Sequence, residues 1–324
     1  MTLPLSVLDR SHVLRGRPAQ EAVRETVRFA QRIEEAGYHR FWVAEHHGVP
    51  GVAGAAPTVL AAAVAAATSR IRVGTGGVML PNHRPLVVAE QVGVLASLFG
   101  DRIDLGLGRS VGFTGDVRRA LGADRETAAR FGDQLAELLG YFTGDGPVRA
   151  VPAAGLSVPV FVLATGSGAD TAADFGLPLV IAPVRGESRL VAAIERYRER
   201  FRPSPANPEP HVVVARSVAV ADSTEQARRL LVPEAWAQAY SRTRGEFPPL
   251  EPPEDVLSRA MTDRERLHFE RALEGHLAGT EDEVANELGD LVTRTGADEL
   301  LVTTTGHDQS ERLDSYRRLA ALVG

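Results

Sequence analysis

Glu45, His46 and His47 stand in a row directly after the apolar run FWVA, and together they could do acid–base chemistry. An imidazole titrates near neutral pH, so it can give or accept a proton under ordinary conditions. Glu45 can orient an imidazole or pair with an arginine. A metal site is a third reading. However, adjacent side chains on extended backbone point to opposite sides, and no second His/Asp cluster completes a ligand set, so no metal is expected. His46 can equally do no more than cap the end of its strand. A second signal is the pair Gly76–Gly77 inside RVGTGGVML. Two glycines in a strand cost conformational entropy. They fit a bulge, relief of crowding, or close approach of the backbone to a flat ring system. Arg109 follows RIDLGLG, and its fixed charge and forked donors suit phosphate oxygens. Thr165, Gly166, Ser167 and Gly168 form the run TGSG ahead of a helical pattern. Small residues, a hydroxyl and free N–H groups at such a turn suit an anion, although taken alone the run is ordinary loop chemistry. His83 in PNHRP, and Asp9 and Ser11 after the first strand, would contact a ligand or hydrogen-bond their own loops.

The elements that must position these groups alternate along the chain. Strands are expected at Leu3 to Leu8, Arg40 to Ala44, Arg72 to Leu80, Arg102 to Leu107, Pro159 to Ala164, Leu179 to Ala182, His211 to Ala221 and Glu299 to Thr304. Helical patterns run over Pro18 to Ala36, Pro57 to Thr68, Pro85 to Phe99, Asp124 to Tyr141, Gly168 to Phe175, Ser188 to Phe201, from about Ser223, over Thr280 to Thr295 and over Ser310 to Leu322. Proline at helix starts and Gly37 and Gly100 past helix ends are the expected punctuation. Strict alternation implies a closed, parallel, right-handed sheet, the (β/α)8 TIM barrel. An open doubly wound sheet is weakened because no GxGxxG follows strand one. Trp236 to Leu273, with the proline cluster FPPLEPPED, falls off the beat. It is expected to be an irregular insertion between strands seven and eight that acts as a lid. The whole of 1–324 is expected to be one domain.

Composition removes several mechanisms. Cysteine is absent, and all 36 Lys+Arg residues are arginine. A disulfide, a thiolate nucleophile, an iron–sulfur cluster, a lysine Schiff base and a Walker lysine are therefore excluded. Anion binding must come from arginine, backbone N–H groups or hydroxyls. A net charge of -6 argues against a general nucleic-acid binder. No apolar run reaches membrane-spanning length without Gly, Pro or charge, and no signal peptide is visible at MTLPLSVLDR. A cytoplasmic protein is expected.

The runs AEHH, GTGGVMLPNHRPLVVAEQ, RIDLGLGR and GLPL resemble the bacterial luciferase-like flavin monooxygenase family, in particular its single-polypeptide members with a GGVMLPNH signature. The likeness extends from Leu3 to ADELLVTT and SYRRLAALV, with Gly37 to Arg109 its most specific part. The resemblance implies a barrel that binds reduced flavin at its carboxyl rim and uses it with oxygen. It makes His46 the catalytic histidine and places a cis Gly76–Gly77 peptide beneath the ring. It puts Arg109 and Thr165, Gly166, Ser167 and Gly168 at the FMN phosphate, with Glu45, His47 and His83 near substrate or behind His46. Reduced FMN would come from a separate NAD(P)H flavin reductase, and one oxygen atom would enter a small organic substrate, plausibly in a natural-product tailoring step. A homodimer is expected, with helices two and three as the interface. The alternatives are a deazaflavin-dependent oxidoreductase and a flavin-binding protein without turnover.

Overall fold

The computed structural model describes residues 3–166, 168–183 and 186–323. Its strands are β1 (Leu5–Asp9), β2 (Arg40–Val43), β3 (Arg72–Met79), β4 (Ile103–Gly108), β5 (Val160–Ala164), β6 (Leu179–Ile181), β7 (Val212–Arg216), β8 (Val218–Val220), β9 (Leu277–Gly279) and β10 (Glu299–Val302). Strands β1 to β7 and β10 close into a parallel barrel, each beside its neighbour in sequence, with β10 between β7 and β1. The helices are α1 (Ala19–Glu35), α2 (Pro57–Ala67), α3 (Pro85–Phe99), α4 (Gly115–Leu121), α5 (Arg125–Ala129), α6 (Phe131–Thr143), α7 (Gly168–Asp174), α8 (Glu187–Arg200), α9 (Thr224–Arg244), α10 (Pro253–Leu257), α11 (Asp263–Leu273), α12 (Glu281–Thr295) and α13 (Gln309–Val323).

The barrel explains the apolar strand patterns. One side of each strand packs on the helices, as Phe41, Val43, Ile103, Leu105 and Leu107 do. The other side fills the lumen with Trp42, Phe161, Val180, Val213 and Leu301. Trp42 and Phe161 meet edge to face at 4.9 Å, a favoured aromatic geometry, so Trp42 and Phe41 are packing residues, as expected. At the amino end the lumen is closed by charge. Arg40 bonds Asp104 at 2.8 Å and Glu299 at 3.0 Å, and Arg72 reaches the other Asp104 oxygen at 2.6 Å. Trp42 Nε1 donates to Asp104 at 3.1 Å, and the Ser6 hydroxyl to Glu299. Asp104 is thus a core partner and not an acid catalyst.

Crowding in the lumen also accounts for the glycines. A Cβ on Gly76 would lie 2.5 Å from Leu8 Cδ1, and one on Gly77 would lie 2.6 Å from the Gly106 carbonyl oxygen. Barrel packing therefore requires glycine at 77, where the clash is with backbone, whereas at 76 the Leu8 side chain could shift aside. The Gly76–Gly77 peptide is cis, as expected.

Three expectations are corrected. His211 to Ala221 is two strands, because β8 leaves the barrel after Ser217 and pairs with β9. Asp124 to Tyr141 is two helices that meet at Arg130, with α4 preceding them. The segment 236–273 is mostly regular: Trp236 lies inside α9, and Asp263–Leu273 is α11 with a Thr262–Glu265 capping box. Helix α9 buries an unbroken run from Leu230 to Ala237, so it shows no one-sided stripe that periodicity could reveal. The proline-rich link is tied to the barrel. Leu250 N–H donates to Val13 O and Leu250 O accepts from Arg15 N–H, each at 2.8 Å, and Gly51 N–H reaches Phe247 O at 2.9 Å.

Breaking the buried cluster should be costly, because Arg72 would lose its carboxylate partner and Arg40 one of its two. Asp104→Ala is expected to destabilise the protein by about 3–5 kcal/mol in urea unfolding. A loss below about 1 kcal/mol would show that the cluster is not holding the barrel's amino end.

Candidate active site

Parallel strands in a closed barrel all end at one rim, which places several expected residues in one region. Glu45, His46 and His47 follow β2, and His83 follows the turn after β3. Gly108 pairs with Leu163, so Arg109 comes abreast of Ala164 and the turn Thr165–Gly166. Gly168 opens α7, and Ser167 lies outside the described residues. That helix has seven residues, too short for its dipole to hold an anion strongly. The rim beside Arg109 is open: a Cβ on Gly108 or Gly166 would meet nothing within 4 Å.

Glu45 and His47 turn to one side of the chain and bond each other at 2.8 Å. The Glu45 carboxylate also accepts from Met79 N–H at 2.9 Å, Asn82 Nδ2 at 3.2 Å and His83 Nε2 at 3.0 Å. Burial pushes its pKa up, but the bonds from His83, His47 and Met79 outweigh burial and hold it below the usual carboxylate range. Glu45 thereby clamps the end of β2 to the turn after β3. Glu45, His47 and His83 are close enough to hold a metal ion, and His46 is not among them. Four donors already satisfy the carboxylate, so hydrogen bonding accounts for the grouping without an ion.

His46 faces a different environment. Its N–H donates to Gly54 O at 2.8 Å, while its Nδ1 is buried without a partner. Burial and the nearby Arg10 charge push its pKa down to about 4, so the ring is neutral at physiological pH. An unpaired buried imidazole nitrogen has forfeited hydrogen bonds to water, which marks a place where a ligand or solvent atom is wanted.

Three residues that sequence reading passed over complete this side. Arg10 and His12 lie on the loop after β1, and Glu234 comes from α9. Arg10 donates to Glu234 at 2.6 Å and to Thr303 O at 3.2 Å, joining the insertion to the rim. Burial raises the Glu234 pKa, but the Arg10 charge, with hydrogen bonds from Arg10 and Gln238, outweighs it and keeps the group ionised. The His12 Nε2 is also buried and unpartnered. Burial first, then Arg10, pushes its pKa well down, with His46 a smaller contributor. The visible signals were a lone carboxylate in the apolar run LLVPEAWA and two ionisable groups directly past a strand end. Asp9 and Ser11, by contrast, are structural. Asp9 accepts from Ser11 N–H at 2.8 Å and Thr26 at 2.7 Å, and pairs with Arg312 at 2.8 Å.

Two cavities flank this rim. One of about 410 Å3 lies between α1 and the turn before α13, and His12 forms part of its wall. Its charges are already committed in the pairs Arg17–Glu21, Arg28–Glu25 and Arg312–Asp9, so it is the weaker candidate for chemistry. The other, of about 200 Å3, is lined by Thr165, Gly166, Gly186, Arg189 and Arg196.

The family model described as luciferase-like monooxygenase matches residues 3–299. This chain belongs to the luciferase-like monooxygenase family. It is 36% identical over 323 residues to the luciferase-like monooxygenase of Escherichia coli (strain K12), covering 97% of this chain and 95% of that protein. It is 32% identical over 338 residues to the N-acetyl-S-alkylcysteine monooxygenase of Bacillus subtilis (strain 168), covering 98% of each. The crystal structure of apo-MsnO8 superposes with a TM-score of 0.89 at 32% identity, covering 99% of this chain and 98% of that one. At lower identity the likeness is one of fold alone. The oxygenating constituent of 3,6-diketocamphane monooxygenase from Pseudomonas putida, solved with FMN, has a TM-score of 0.75 at 17% identity, covering 100% of this chain and 98% of that one. An F420-dependent secondary alcohol dehydrogenase has 0.76 at 15%, covering 100% of each.

The depressed His46 pKa has a stability consequence with a definite sign. Unfolded histidine takes a proton near 6.5, whereas folded His46 does so only near 4. Its contribution to stability is therefore complete above about pH 6.5 and is lost as pH falls from there toward 4. An NMR titration should place the His46 midpoint near 4, and a midpoint of 6 or above would contradict this environment.

Proposed function

We propose that the protein is an FMN-dependent monooxygenase in which residues 1–324 act as one luciferase-like domain, with reduced FMN delivered by a separate NAD(P)H flavin reductase. When bound, reduced FMN supplies the electrons that activate oxygen, so that one oxygen atom enters an organic substrate. A natural-product tailoring step fits this chemistry. The observation that carries the reading is the neutral, buried His46 with an unpartnered Nδ1, set on the same rim as Arg109 and the Thr165–Gly166 turn.

The chain's own groups divide the work. Arg109 and the turn Thr165, Gly166, Ser167 and Gly168 suit the phosphate, where forked donors and exposed backbone can meet its oxygens. Gly76 and Gly77 leave the β3 backbone bare toward a flat ring. Neutral His46 offers its unpartnered nitrogen as a hydrogen-bonding partner to the reacting atoms at physiological pH. Glu45, with His47 and His83, fixes the strand end from which His46 projects. The α9–α11 insertion, latched through Arg10–Glu234, keeps water from the reacting atoms. The exposed Val59, Val87, Val94 and Leu98 on α2 and α3 fit a homodimer interface, and a cytoplasmic location fits the reductase supply. The F420-dependent fold neighbour supports a second reading, hydride transfer from a deazaflavin on the same rim.

Anaerobic titration with reduced FMN and with reduced F420, followed by stopped-flow mixing with oxygen, separates the two readings. Reduced FMN should bind, and His46→Ala should change its reoxidation rate by about tenfold or more while leaving its affinity nearly unchanged. Binding of F420 alone, or reoxidation indifferent to His46, would defeat the proposal. The latch is tested separately: Glu234→Gln should raise the peroxide released per reduced FMN, and unchanged release would remove the water-excluding role of the insertion.

A further inference from the structure

We propose that His12, on the loop after β1, anchors the organic substrate by a hydrogen bond to an uncharged hydroxyl group, beside the reacting end that His46 faces. The inference rests on the monooxygenase reading above and adds to it a substrate-holding residue and a substrate class. Its starting point is that His12 Nε2 is buried without a hydrogen-bond partner, as is His46 Nδ1. Each of these atoms has given up water and gained no partner in exchange. The two rings stand on loops that follow adjacent, paired strands.

The backbone ties the two loops together. Strands β1 and β2 pair as far as Asp9 and Val43, and residues 52–54 then connect both loops. Ala53 N–H donates to Ser11 O at 2.9 Å, His46 N–H donates to Gly54 O at 2.8 Å, and His12 forms a bridge with Val52. Ser11 turns the chain in the left-handed region, at φ 53. That conformation is costly for a residue with a side chain and is kept chiefly at functional sites. Asp9 holds the turn by accepting from Ser11 N–H at 2.8 Å, and the Ser11 and Thr26 hydroxyls bond at 2.8 Å. The turn delivers His12 to its place beneath Phe247, whose ring centroid lies 5.8 Å away. The buried nitrogen is therefore reached when the proline-rich link that carries Phe247 moves.

The surroundings select the hydroxyl. Burial, and then the Arg10 charge, keeps the His12 ring neutral. A neutral imidazole has one donor and one acceptor nitrogen, and a hydroxyl can pair with either. Among the described residues, the cations that act on the ring are Arg10 and Arg312. They are bonded to Glu234 at 2.6 Å and to Asp9 at 2.8 Å, so an ionised substrate group meets no uncommitted counter-charge there. A hydrocarbon would leave the nitrogen unsatisfied. The ring also forms part of the wall of the cavity of about 410 Å3, which gives an uncharged molecule room beside it.

The test uses three probes of one shape: benzyl alcohol, toluene and benzoate. Their affinities for the full-length protein are measured by NMR on the protein labelled with 15N-histidine. In wild type, benzyl alcohol should shift the His12 ring nitrogen signals, toluene should not, and benzoate should bind more weakly than the alcohol. In His12→Phe the ratio of alcohol to toluene affinity should fall about tenfold, and His12→Gln should recover part of it. Continued toluene binding shows that the variant is folded. The inference is overturned if benzyl alcohol leaves the wild-type His12 signals unmoved, if the ratio survives in His12→Phe, or if benzoate binds most tightly. FMN titration of the same wild-type sample separates this inference from the reading beneath it. FMN binding without the probe contrast removes the anchor alone, whereas the contrast without FMN binding removes the flavin reading and leaves the hydroxyl anchor standing.

Discussion

Closure of a parallel sheet into a barrel is the constraint on which everything else in this molecule depends. Once β1 to β7 and β10 run the same way and close, every strand must end at one rim. Residues far apart in sequence, His46, His83, Arg109 and Thr165, then come to the same rim without any further device. Closure also fills the lumen. Its amino end is sealed by Arg40, Arg72, Asp104 and Glu299, and its middle by Trp42 and Phe161. What remains toward the carboxyl end is crowded enough that Gly77 and Gly106 have no room for a Cβ against neighbouring backbone. A rigid, filled barrel below and open space above Gly108 and Gly166 is an arrangement that can hold a ligand at its mouth.

The site sorts its histidines by what surrounds them. His47 and His83 share the Glu45 carboxylate and are consumed in fixing the β2 and β3 ends. His46 and His12 each bury a nitrogen that nothing in the chain satisfies. The first pair is paid for in hydrogen bonds, whereas the second carries a desolvation penalty that keeps both rings neutral. Arg10 sharpens the contrast, since its charge opposes protonation of both unpartnered rings while it also latches the insertion through Glu234. One arginine thus couples cover and proton chemistry.

Much of this was legible in the chain. Alternating strand and helix patterns with glycine and proline punctuation gave the barrel, and AEHH at a strand end marked the rim. The missed parts have physical reasons. Helix α9 is buried on several sides, so its pattern lacks the polar stripe that periodicity detects. Residues from Trp236 onward therefore read as irregular. Strands β8 and β9 are three residues each and form only when paired with one another across a long insertion. Arg10, His12 and Glu234 look like ordinary loop and helix residues until tertiary contacts bury them. The glycine pair was legible as either crowding or a ligand face, and the close approach of the Gly106 carbonyl to Gly77 shows that crowding is part of the reason.

The central claim is that a phosphorylated flavin lies on this rim, with its ring facing His46 and its phosphate beside Thr165. A crystal structure of the protein soaked with FMN tests it most directly. The account predicts the phosphate in the cavity between the β5 turn and α8, with the ring extending over Gly76 and Gly77 toward His46. A flavin seated instead between α1 and the turn before α13, with His46 untouched, would contradict it.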